Sequence, residues 1–161
     1  MNKLLASAAI SFVLALGACD EASLAENAAV FDANRKEVFQ TALPLCLRSA
    51  ERGSKLSESE MISSGFRRAP FSLIGDEYAL KRIGSFRAES AGCVVSTPGG
   101  RRDFGEAVLE LPALLAAQGY TQSGPAPRGT YFSKGRTRLE VRITWASSSA
   151  NSTIIVEIDG G

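Results

Sequence analysis

Two stretches near the C-terminus alternate in side-chain character residue by residue, and this restricts the fold more than any other feature of the chain. Within residues 137–145, Leu139, Val141, Ile143 and Trp145 share one side, while Arg138, Glu140, Arg142 and Thr144 share the other. Within residues 152–159, Ile154, Val156 and Ile158 repeat the apolar set, with Glu157 and Asp159 opposite. A period of two with one apolar and one charged side describes antiparallel strands that bury one face and wet the other. Residues 129–134 form a third strand, joined to the next through Lys134-Gly135. The outward charges alternate in sign, so they are expected to pair across strands.

The remaining periodicity is mostly helical. Phe31, Arg35, Val38, Ala42, Leu45, Cys46 and Ser49 recur at spacings of three or four over residues 28–52, and Gly53 supplies a stop. Pro44 should bend this helix or divide it, and a bend is expected. Ser57 with Glu60 three residues later predicts a capping box for a short second helix closed by Gly65. Between Phe66 and Thr97 the period shortens, predicting two or three strands separated by Gly75-Asp76 and Ala91-Gly92. Phe104, Val108, Leu111 and Leu115 restore helical spacing up to Gly119; Pro112 either lies inside this helix or begins a shorter one.

With 161 residues, 45% of them hydrophobic, the chain can bury one sizeable core, and one domain is expected over residues 28–161. The fold class read from these patterns is α+β: an antiparallel sheet with helices packed on one face. The order helix, Gly-aromatic pair (Gly65-Phe66, Gly119-Tyr120), strands occurs twice, which suggests two helix-plus-strands units.

The N-terminus carries a different signal. Lys3 precedes an apolar run over residues 4–16, followed by Gly17-Ala18 and Cys19. The run falls short of the roughly 20 residues that span a bilayer, and it reads as a signal segment over residues 1–18. Leu16-Gly17-Ala18-Cys19 resembles the lipobox of bacterial lipoproteins. The resemblance covers the first 19 residues only; no family is recognised for the rest. It implies that Cys19 is acylated, becomes the first mature residue and holds the protein to a membrane facing the periplasm. Asp20 in second mature position is similar to the inner-membrane retention signal of enteric bacteria, which favours the inner over the outer membrane. Residues 19–27 would be the lipidated cysteine and a short tether, reaching about 29 Å if extended. Cys46 and Cys93 then remain as a pair in an oxidising compartment, where a disulfide is expected. It would close a loop of about 48 residues and stabilise by about 4 kcal/mol.

Charge and composition narrow the function. The net charge is +1 and histidine is absent, which removes Ser-His-Asp and Cys-His hydrolases and most zinc enzymes. No cofactor or metal is expected, no nucleic-acid partner, and no catalytic activity. Residues 20–60 carry 5 basic and 8 acidic groups, and residues 67–142 carry 12 and 7. Arg67, Arg68, Arg101, Arg102 and Tyr131 are therefore the candidate interaction surface for a protein partner in the envelope. Residues 96–102, Ser-Thr-Pro-Gly-Gly-Arg-Arg, suit an anion in composition but lack phosphate-loop spacing. Two alternatives stay open at this level. One is an inhibitor of an envelope hydrolase, presenting the loop at residues 98–103 or 146–151. The other is an enzyme working through carboxylates such as Glu106 and Glu110, or Asp76 and Glu77.

Overall fold

The computed structural model describes residues 5–69, 77–148 and 151–160, with side chains from residue 25 onward. The backbone forms two compact units, residues 1–33 and 34–161. The first is helical: helix α1 runs from Leu5 to Arg52 and includes residues 20–27. At 1.5 Å per residue, such a tether is less than half as long as an extended one. None of the helices among the described residues is long and apolar enough to cross a membrane. Gly75-Asp76, read as a strand break, lies outside the described residues.

The second unit is α+β, built on one eight-stranded antiparallel sheet ordered β1-β2-β3-β4-β8-β7-β6-β5. After α1 come α2 (Glu58–Ser63) and the strands β1 (Arg67–Arg68), β2 (Glu77–Leu80), β3 (Gly84–Glu89) and β4 (Gly92–Pro98). Then follow α3 (Arg101–Ala117), β5 (Thr121–Pro125), β6 (Thr130–Lys134), β7 (Thr137–Ser147) and β8 (Ser152–Gly160). The order is symmetric. Each half is a helical segment followed by a four-stranded meander, and the halves meet where β4 pairs with β8, centred on Val95 opposite Val156.

The helix exits repeat as well. Phe66 N–H donates to the Met61 carbonyl at 3.1 Å, and Tyr120 N–H donates to the Leu115 carbonyl at 3.1 Å. Gly65 and Gly119, at φ +89° and +86°, turn the chain from helix into sheet, a left-handed step that glycine makes without a steric penalty. Phe66 and Tyr120, next in line, are both buried. The first half differs by having α2, whose capping box at Ser57 and Glu60 forms as the spacing predicts.

The core lies between the sheet and the helices: Val38, Phe39, Leu45 and Leu47 of α1 and Leu111 and Leu115 of α3 join Phe86, Val95, Leu139 and Ile154 in one cluster. Cys46 and Cys93 are bonded across this layer, with Cα atoms 5.3 Å apart, and tie α1 to β4. Pro44 does not divide α1, and Pro112 lies inside α3.

Two details depart from the sequence reading. The strand pattern across Tyr78, Leu80, Ile83 and Phe86 is broken by a turn at Lys81 (φ +47°) and Arg82 (φ +69°), so four strands stand where two or three were predicted. β5 is a strand that carried no alternation. Both sheet edges resist pairing with another chain: β1 is two exposed arginines, and β5 carries a register shift between Gln122 and Gly124 and ends on Pro125.

Glycine matters most at Gly92, a buried residue of the β4–β8 seam. A Cβ there would fall on the Ile158 carbonyl and 3.1 Å from the Asp159 Cα. Gly105, inside α3, has nothing within 4 Å of the same position. Gly92→Ala is expected to cost at least about 1–3 kcal/mol through forced backbone movement, whereas Gly105→Ala should add about 0.5–1 kcal/mol by raising helix propensity. Urea denaturation of the two variants side by side checks both signs; equal effects would contradict the close β4–β8 approach.

Candidate interaction surfaces

The uncovered face of the sheet carries the outward set of every strand, and its charges form a lattice of pairs. Arg142 faces Glu157 in register, with Nη2 2.7 Å from Oε1, as the alternation of signs predicts. Arg87 pairs with Glu89 at 2.8 Å; Arg128, in the β5–β6 turn, reaches Asp159 at 2.8 Å and Glu140 at 3.5 Å. These pairs are at least partly exposed, so each adds little to stability. Between them lies an open cleft of about 500 Å³ lined by Arg87, Glu89, Val94, Arg128, Glu157 and Asp159. Beside the lattice, the Arg138 guanidinium stacks on Tyr131, 3.6 Å from the ring centroid.

The five candidate residues do not form one surface. Arg67 and Arg68 occupy the edge strand β1, six strand positions from the β6 strand that carries Tyr131, a separation of about 29 Å at the usual strand spacing. Arg101 and Arg102 begin α3, in the helical layer over the opposite face. Burial alternation drives the division. Tyr131 must point outward because its neighbour Phe132 is in the core.

Nor do residues 96–102 cradle an anion or project as a loop. Gly99 is buried, its carbonyl accepts the Trp145 indole N–H at 3.2 Å, and Arg101 lies over the Trp145 ring at 5.9 Å. The Gly100 N–H is taken by Asp103 Oδ2 at 2.7 Å, so the turn serves as the start of α3. Arg102 pairs with Glu106 at 3.0 Å. The other candidate loop includes residues 149–150, which lie outside the described residues.

The carboxylates Glu106 and Glu110 turn out to have a cation between them. Arg35 of α1, fully buried, donates from Nη2 to Glu106 at 3.0 Å and to Glu110 at 3.3 Å, and from Nε to Glu110 at 3.3 Å; Asp103 stands 3.6 Å from Nη1. The hydrogen bond from Arg102 and then that from Arg35 hold the Glu106 carboxyl below its usual range. This arrangement joins two helices through one forked cation. Asp76, of the other proposed pair, lies outside the described residues.

A second polar tie escaped the sequence reading. Glu51 Oε1 accepts from Tyr120 Oη and from Lys134 Nζ, each at 2.9 Å, linking the end of α1 to β6. The Lys134 hydrogen bond, then that from Tyr120, lowers the Glu51 pKa, while burial and the neighbouring carboxylate push the Tyr120 phenol well above its ordinary range. Tyr120 is therefore held as a donor. Among the described residues no cluster of three or more potential ligands could hold a metal ion.

No family model matches the chain, and neither the curated proteins nor the solved structures contain a match.

Proposed function

We propose that this protein is a lipid-anchored accessory module of a bacterial cell envelope that binds a protein partner, held at Cys19 and facing the periplasm. The observation that carries the reading is the N-terminal series of Lys3, an apolar run, and Leu16-Gly17-Ala18-Cys19. A diacylglyceryl thioether with an amide-linked chain would bury dozens of methylenes at about 0.8 kcal/mol each, far beyond the marginal hold of a single chain. The bonded Cys46 and Cys93 support the same compartment, since structural disulfides persist where thiols are oxidised. A broad polar sheet face carrying the Arg142–Glu157, Arg87–Glu89 and Arg128–Asp159 ion pairs, and opposite the helical layer of the second unit, supports binding to a partner that is itself polar.

The decisive measurement is metabolic labelling with palmitate in a lipoprotein-processing host. The wild-type chain should take up label and fractionate with membranes. Cys19→Ser should lose the label entirely and appear either as soluble protein or as uncleaved precursor. An unlabelled wild type would end the proposal. Crosslinking in native membranes should then recover a specific neighbour through residues of the open sheet face.

A further inference from the structure

α3 has an unusual solvent side. A surface helix ordinarily opposes its buried stripe with polar residues, yet Gly105, Val108, Leu109, Pro112, Ala113, Ala116 and Ala117 are all exposed, with Leu109 at 79%. The helix does contain charges, but they are directed elsewhere. Asp103, Glu106 and Glu110 attend Arg35, and the two arginines are confined to the first turn. Beside this face, a groove of about 270 Å³ runs along α1 and α3, lined by Lys36, Gln40, Glu110, Ala113 and Leu114. Exposed apolar surface of this continuity marks a contact.

We infer that the solvent face of α3 rests on the bilayer to which Cys19 is attached, with Leu109 and Val108 entering the headgroup boundary and Arg101 and Arg102 meeting lipid phosphates. This inference rests on the lipid-anchor reading. Asn34, the start of the second unit, lies fifteen positions after Cys19, so the anchor keeps the start of that unit within about 54 Å of the membrane even if the link were fully extended. At such proximity a weak interfacial helix is enough, because tethering turns its binding into an intramolecular event. The composition fits that regime: two bulky aliphatics among small residues bind lipid poorly alone, and guanidiniums at one end match anionic headgroups.

The test uses the lipidated full chain reconstituted into phosphatidylcholine–phosphatidylglycerol vesicles. With Cys19 acylated and Cys46 bonded to Cys93, an introduced cysteine is the only free thiol. An environment-sensitive NBD dye on Ala113→Cys should be blue-shifted, severalfold brighter, and quenched by spin-labelled lipid, whereas the dye on Ser85→Cys, on the uncovered sheet face, should report water. Leu109→Glu should return the Ala113→Cys signal to its value in water without changing the circular dichroism, since Leu109 supports no core packing. Dye at 113 that stays in water although the protein is acylated and vesicle-bound would overturn the inference alone. Protection at 113 appearing only when envelope proteins are added would overturn it in favour of a protein partner. A chain without palmitate that does not join vesicles would remove the anchor reading and this inference together.

Discussion

Replacing Arg35 with methionine is expected to lower stability by about 3 kcal/mol. The guanidinium is fully buried and serves Asp103, Glu106 and Glu110 at once. Its removal leaves three carboxylates facing one another at the join of α1 and α3, and breaking a buried ion cluster from one side typically costs 3–5 kcal/mol. The lower end applies because Glu106 and Glu110 keep about a third of their side-chain surface in water. Arg35→Lys should recover only part of the loss, since an ammonium cannot span two carboxylates as a planar fork does. The pH dependence gives an independent readout. Glu106 has a depressed pKa through Arg102 and Arg35, so its contribution is present above the ordinary carboxylate range and fades as pH falls through the folded-state value. In the methionine variant the share owed to Arg35 is absent. Its urea midpoint should therefore fall less steeply below about pH 4 than that of the wild type. Parallel slopes would show that Arg35 does not sustain the carboxylates.

Loss of the Cys46–Cys93 bond is expected to have the largest single effect, about 4 kcal/mol, a large part of the margin of a domain this size. Both cysteines are fully buried, and the bond fixes the central helix to a central strand, so its removal loosens the layer contact as well as enlarging the unfolded ensemble. The double variant Cys46→Ala, Cys93→Ala should unfold at markedly lower urea and be indifferent to reductant, whereas the wild type should shift to a similar midpoint only when reduced. A wild type insensitive to reduction would mean that the bond contributes nothing.

What could be read in advance follows a physical rule. Strands β7 and β8 were legible because a one-residue error in their pattern would put Leu139 or Ile158 into water. The Cys46–Cys93 bond was expected because the lipobox resemblance sets Cys19 aside and leaves one pair. β5 was not, since an exposed edge strand of Thr121, Gln122, Ser123 and Gly124 buries nothing and so needs no alternation. The turn at Lys81-Arg82 was hidden because it uses none of the residues that usually mark left-handed backbone. Arg35 stood on the apolar stripe of α1, a sign of a buried cation. Its partners lie about seventy residues away on another helix, and helical spacing identifies neighbours only within one helix. The dispersal of Arg67, Arg68, Arg101, Arg102 and Tyr131 over an edge, a helix and a sheet face was hidden for a related reason: net charge over a segment says nothing about which face or edge each residue occupies.

The β4–β8 seam has a bearing on how the chain is made. Both bonded cysteines precede Pro98, so a polypeptide emerging amino-terminus first can oxidise and pack its first half without help from the second. Yet the strand that must lie against β4 is the last of the described strands to be synthesised. Until it arrives, the nascent first half presents an open row of backbone donors and acceptors along Gly92–Pro98, and it is during this interval that a chaperone would have most to protect.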